Sequence, residues 1–278
     1  MIKIFLINTR KHIVSTMDTI PTEILIVIFG YLDVTHKTMT SMVCQNWRAI
    51  IERYLGKAKF QKGKWIKLLI QGGYLDYFKE YYSVEDFPEI DFCNIASLSG
   101  QLSFLQYAHE NGCPWNENTC TYAAENGHLA CLKYAHENGC PWNKYTCTYA
   151  AENGHLACLK YAHENGCHWD EDTCAYAAKN GHLACLEYAH ENGCPWDSCT
   201  CTFTVAKGHL ACLKYARENG CSWNEYTCAS AAKNGHLDCL KYAYENGCPW
   251  NSLTYIYAVD YDHLDCLKYA CEQGCPQN

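Results

Sequence analysis

Sulfur and imidazole dominate the reactive side chains of this sequence, with 22 cysteines and 13 histidines among 278 residues. Their spacing is regular: the set Cys120, His128, Cys131, Cys140 returns every 27 residues, as His128, His155, His182, His209, His236 and His263 show. Thiolate and imidazole are the ligands zinc prefers, and His128 and Cys131, three apart, would share a helix face. A zinc-storing, thiol-rich array is one reading. Packing is the other, and it explains more. The set has no tight C-x-x-C pair, and Phe104 and Tyr255 each stand where another unit has a cysteine. A ligand site would not survive such losses, whereas free cysteine packs as a small hydrophobe. The packing reading expects no metal, and no disulfides in an intracellular thiol-rich core. A catalytic pair would be expected once, not in every register. With no G-x-S-x-G, phosphate loop or H-E-x-x-H, neither an enzyme nor a cofactor is expected.

The period dictates the elements that carry these residues. Tryptophans at 115, 142, 169, 196, 223 and 250 keep the same step, as do glycines at 112, 139, 166, 193, 220, 247 and 274. A fixed period of this size signals a solenoid. Upstream, Gly100, Leu102 and Leu105 match Gly127, Leu129 and Leu132, and Gly73, Leu75 and Phe78 match them again. The array is expected to begin near residue 60 and hold about eight units, with a worn last unit in which Asp262 replaces the glycine. Within a unit, Cys120, Ala123 and Ala124 make one apolar helical stripe ended by Asn126-Gly127. Leu129, Leu132, Ala135 and His136 make a second, closed by Asn138-Gly139 and blocked by Pro141. Neither helix is long enough to stand alone, so stacking must supply the burial.

The stretch A-A-E-N-G-H-L-A-C-L-K-Y-A-H-E-N-G-C, residues 123–140, resembles the ankyrin core A-A-x-x-G-H-x-x-x-V-x-x-L-L-x-x-G-A. The unit is shorter than the family's, which runs to about 33 residues. All the missing residues fall where ankyrin units project a β-hairpin finger, and the T-P-L-H opening is altered to N-T-C-T at 118–121. The resemblance implies helix pairs joined by a short Trp-bearing turn, with few or no fingers, and structural roles for His128, Cys131 and Cys140. The C-P-W-N and Y-A-H-E-N-G phrasing is most similar to repeat arrays of giant DNA viruses of amoebae. That likeness implies an intracellular setting in the host cytoplasm.

Residues 17–55 break the period. Asp18 through Glu23, with Pro21, reads as a capped helix start. Ile24, Leu25, Ile28, Phe29 and Leu32 make a broad apolar stripe, and a second helix is expected from Thr38 through Arg53. About 40 residues cannot bury a self-sufficient core, so this segment either caps the solenoid or grips another chain. Ile20-Pro21-x-Glu23-Ile24-Leu25-x-x-Ile28-Phe29-x-x-Leu32 resembles the F-box opening L-P-x-E-[LI]-[LI]-x-x-[IV]-F-x-x-L. Val43-Cys44-x-x-Trp47-Arg48 is similar to its V-C-[KR]-x-W-R closing, at the same offset. Lys37 and Thr40 depart from the family's leucines between the two halves. The resemblance implies binding to the Skp-type adaptor of a cullin ubiquitin ligase, with Pro21, Ile24, Leu25, Ile28, Phe29, Leu32, Val43 and Trp47 forming or supporting that surface.

The fold class expected is all-α: a small F-box-like helical segment followed by a helix-pair solenoid of ankyrin-like repeats. The domains are read as an N-terminal extension at 1–16, the F-box-like segment at 17–55, a basic linker with a degenerate first repeat at 56–72, and the array at 73–278. Residues 1–72 hold 11 Lys and Arg against 4 Asp and Glu, and residues 73–278 hold 11 against 26. So acidic an array is a poor phosphate-backbone binder, and no nucleic-acid partner is expected. The basic cluster from Arg53 to Lys67 reads as a solvated linker. No stretch approaches the ~20 apolar residues of a membrane span, and the apolar start Met1–Ile7 lacks a cleavage site for secretion.

Positions that differ between units mark the candidate target surface. The differing sets are Glu117, Lys144, Glu171, Ser198, Glu225 and Ser252, then Asn118, Tyr145, Asp172, Cys199, Tyr226 and Leu253, then Tyr122, Tyr149, Tyr176, Phe203, Ser230 and Tyr257. The candidate contacts among them are Glu117, Asn118, Tyr122, Lys144, Tyr145, Tyr149, Glu171, Asp172, Tyr176, Glu225 and Tyr226. Tyrosine and acid dominate, which points to a basic protein target, or else these are unconstrained solvent positions. The function expected is a substrate-recruiting adaptor of a ubiquitin ligase. The competing reading is a scaffold or decoy that binds a host protein without ligase contact.

Overall fold

The computed structural model describes residues 62–277, and the regular structure among them is helical. Helices α1 (Lys62–Gln71) and α2 (Leu75–Tyr81) are followed by a short 3-10 turn, Val84–Asp86. Then come α3 (Phe92–Leu98), α4 (Leu102–Glu110), α5 (Glu117–Glu125), α6 (Leu129–Glu137), α7 (Lys144–Glu152) and α8 (Leu156–Glu164). The series ends with α9 (Glu171–Lys179), α10 (Leu183–Glu191), α11 (Ser198–Ala206), α12 (Leu210–Glu218), α13 (Glu225–Lys233), α14 (Leu237–Glu245), α15 (Ser252–Asp260) and α16 (Leu264–Glu272). The chain divides into residues 1–66 and 67–278, and of the first unit only 62–66 is described. The whole F-box-like segment therefore lies outside the described residues. No described helix is long and apolar enough to cross a membrane.

From α5 onward each helix has nine residues, below the length at which an isolated helix holds in water. Local chemistry fixes their ends. Asn116 accepts a hydrogen bond from the Asn118 amide, and Thr119 reaches back to the Asn116 amide, a reciprocal cap. At the far end Gly127 has φ +74°, and the His128 amide donates to the Ala123 carbonyl. The second helix closes the same way, with the Cys140 amide on the Ala135 carbonyl at 2.9 Å. This closure folds the residue after the glycine back over the helix's last apolar turn, which is why Cys140 is buried.

Stacking supplies the rest. Cys120, Ala123, Ala124, Leu132 and Ala135 are fully buried, and a buried leucine contributes about 1.5–3 kcal/mol relative to an exposed one. First helices of successive pairs pack together more extensively than second helices do, because Ala, Cys and Thr let their backbones approach. Phe104 takes the place of Cys131 and is equally buried.

Three repeating contacts set the register between neighbours. The first is a threonine ladder. Thr121 meets Thr146 at 3.3 Å, Thr148 meets Thr173 at 3.2 Å and Thr202 meets Thr227 at 3.4 Å. Asn94 plays the part of Thr121 for Thr119, at 2.6 Å. Ala175 and Ala229 interrupt the ladder, and the hydroxyls of Thr200 and Thr254 are buried without partners.

The second contact is a histidine column. The His155 ring lies against Gly127 of the preceding unit, and the same holds for His182 on Gly154 and His209 on Gly181. His263 Nε2 reaches the Lys233 carbonyl at 3.1 Å, closing the end of the preceding first helix. Gln101 does the same in the first full unit, its Nε2 donating to the Gln71 carbonyl at 3.1 Å.

The third contact is an aromatic tier at the turns. Trp142 stacks on His136 with centroids 3.6 Å apart and meets the edge of Tyr161 in the next unit at 6.3 Å. Arg217 lies over Trp223 at 4.4 Å and Tyr244 stacks on Trp250 at 3.9 Å, so any flat or cationic group serves under the indole.

Candidate target-binding face

The first helix of each pair turns its N-terminal residues and one side outward. In α5, Glu117 and Asn118 occupy the first turn and are exposed, and Tyr122 follows half-buried on the same side. Lys144, Tyr145 and Tyr149 hold the equivalent places on α7, and Glu171, Asp172 and Tyr176 those on α9. On α13, Glu225 is half-buried and Tyr226 is 55% exposed. At 100° per residue the first, second, sixth and ninth positions of such a helix fall within one arc. The structure thus brings all eleven candidate residues onto the outward sides of the first helices α5, α7, α9 and α13. Pro21, Ile24, Leu25, Ile28, Phe29, Leu32, Val43 and Trp47 lie outside the described residues.

Charge is distributed unevenly along this face. Lys144 Nζ contacts Asp170 Oδ2 at 2.5 Å, and this bond and charge raise the lysine above its ordinary value. Asp170 starts α9 but makes no side-chain cap bond there, having turned to the lysine instead. Burial, then the Glu152 and Glu125 carboxylates, pushes the Tyr149 phenol up and keeps it neutral. Tyr145 stacks on Tyr149 at 5.8 Å, and Lys179 lies over Tyr176 at 5.1 Å. Glu117, Glu125, Glu152, Glu171 and Asp172 leave the stretch over α5, α7 and α9 acidic and aromatic.

Helix α11 differs. Cys199 and Phe203 are exposed and Ala206 half-exposed on its outward side, and their i, i+4, i+7 spacing makes an apolar stripe. Unit-by-unit comparison places Phe203 in register with the tyrosines, but the stripe emerges only when Ala206 is set beside Glu125, Glu152, Lys179 and Lys233.

The thiols and imidazoles do not converge. No group of three His, Cys, Asp or Glu among the described residues is placed to hold a metal ion. Cys140 donates to the Asn116 carbonyl at 3.2 Å and Cys201 lies 3.2 Å from Cys221, while His128 is drawn away against Gly100. Burial pushes Cys131 up to about 11, far from the thiolate that a nucleophile or metal ligand requires.

Residues 17–57 match the F-box-like family. The crystal structure of the human ASB11 ankyrin repeat domain is similar at 20% identity and a TM-score of 0.50, covering 56% of this chain and 84% of that one. The array has the ankyrin-repeat fold. No curated protein matches the chain. Against the usual ankyrin pattern, no finger strands occur among the described residues, and the turn from Cys113 to Asn116 takes their place. That turn gives the ankyrin array its tryptophan tier.

Proposed function

We propose that this chain is a substrate-recruiting subunit of a Skp–cullin type ubiquitin ligase. The F-box-like segment docks the adaptor, and the ankyrin array holds a protein target with basic character. The observation that carries this reading is the joining, in one chain, of an F-box-like segment at 17–57 to an array that sets eleven candidate contact residues on the outward sides of its first helices. The protein performs no bond chemistry of its own. It raises the effective concentration of the target beside the ubiquitin carrier. The turn and helix phrasing shared with giant-virus arrays supports a host protein as target.

Affinity capture from host-cell extract with the full chain tests the reading. The variant Ile24→Asp/Leu32→Asp is expected to lose both Skp-type adaptor and cullin while keeping its target. Equal recovery of adaptor and cullin by variant and parent defeats the recruiter reading and leaves a scaffold.

A further inference from the structure

Among the first helices from α5 to α13, α11 alone turns an apolar side outward. Position by position, Ser198 stands where Glu117, Lys144, Glu171 and Glu225 stand. Cys199 matches Asn118 and Asp172, and Ala206 replaces the charges of Glu125, Glu152, Lys179 and Lys233. Phe203 is 42% exposed and lacks the hydroxyl of its tyrosine equivalents. A worn terminal unit would explain such changes at an end of the stack, but α11 lies between α9 and α13. Its buried side is also altered, with Thr204 and Val205 fully buried where neighbouring units have paired alanines. An exposed phenylalanine gains nothing for folding, and aromatic side chains set in neutral ground are the usual anchors of protein recognition.

The surroundings say what the anchor takes. On the N-terminal side lie Glu171 and Asp172 at the start of α9 and, beyond them, Glu117; Lys144 is neutralised by Asp170, and Lys179 at the far end of α9 lies over the Tyr176 ring. On the C-terminal side stands the exposed ring of Tyr226. An apolar patch bordered by carboxylates at the starts of the neighbouring helices fits a polypeptide segment with one aromatic or aliphatic side chain flanked by lysines or arginines.

We propose that α11 is the anchor of the target-binding face: Phe203, Cys199 and Ala206 seat an apolar side chain of the target, and the carboxylates over α5 to α9 hold its basic residues. This deepens the recruiter reading by naming the target's chemistry, and it rests on the array being the part that binds the target.

The array itself offers safe substitutions. Ser230 and Glu125 occupy the places of Phe203 and Ala206 in folded units, so Phe203→Ser and Ala206→Glu keep the stack intact. Lys144 and Asn118 license Glu171→Lys and Asp172→Asn in the same way. A phage-displayed library of random peptides is selected on the full chain, and the enriched peptides are synthesised and titrated by fluorescence anisotropy. The expected peptides combine an aromatic or aliphatic residue with flanking lysine or arginine. Phe203→Ser/Ala206→Glu is expected to weaken them about tenfold at low and high salt alike. Glu171→Lys/Asp172→Asn is expected to weaken them at low salt and flatten the salt dependence. Enrichment of acidic peptides, no enrichment, or unchanged binding by Phe203→Ser/Ala206→Glu overturns the assignment. None of these outcomes depends on the adaptor, so a failed adaptor capture and a failed anchor are told apart.

Discussion

Gly127 and Gly139 end consecutive helices with nearly the same backbone, at φ +74° and +85°, yet their surroundings differ. A methyl at Gly127 would lie 2.6 Å from His155 Nδ1, whereas one at Gly139 would meet nothing within 4 Å. Gly139→Ala is expected to cost about 1 kcal/mol, the price of a left-handed alanine. Gly127→Ala should cost at least about twice that, since it also displaces the neighbouring imidazole; urea denaturation of the two variants measures the difference. In the last unit Asp262 holds the same turn at φ 56°, so Asp262→Gly should stabilise the chain by roughly 0.5–1 kcal/mol. The helix-ending role of both glycines was legible in the sequence because it is local. The histidine seated on only one of them was not, since that contact joins residues a whole unit apart.

Between elements, the threonine ladder and the histidine column hold the spacing. Ala175→Thr and Ala229→Thr would give Thr200 and Thr254 the partners that Thr121 gives Thr146. Each should raise stability by about 1 kcal/mol, read as a shift in the denaturation midpoint. The ladder escaped sequence reading because threonine in a short helix looks like a solvent residue, and each pair spans 25 positions, two short of the period. The imidazoles add a pH dependence. Burial, helped by neighbouring histidines, lowers His155 and His209 below the ordinary value. The folded state then binds fewer protons than the unfolded one. Their contribution is complete above the unfolded value of about 6.5 and is lost as pH falls through the lower folded values. The Tm is expected to drop as pH falls from neutral to below the unfolded histidine value. Gln101 already does the histidine's work in one unit, so His155→Gln/His209→Gln should flatten that drop while keeping the neutral-pH Tm.

For the whole molecule, a stack of near neighbours should tolerate loss of a complete unit. Excising residues 225–251 would set Thr202 opposite Thr254 and remove one orphaned hydroxyl, whereas excising 144–170 removes an intact ladder contact. Both deletions are expected to fold with a denaturant slope lower by roughly an eighth, and the first should melt higher than the second. The architecture was legible from the 27-residue step of tryptophans and glycines because the fold consists of that step repeated. The apolar side of α11 was obscured by the same regularity. Comparison column by column shows Phe203 as one more aromatic residue, and only the outward side of a single helix assembles it with Cys199 and Ala206. The unpartnered Thr200 hydroxyl lies within that helix, at its seam with α9. The same vacancy recurs at Thr254, where α15 meets α13, so two joints of the coil lack the hydroxyl pairing that ties the others, and one of them lies beside the patch where a captive polypeptide is anchored. A captive lying across α9 and α11 would bridge the first of these two seams, so its hold on the patch and the cohesion of that joint would rise and fall together.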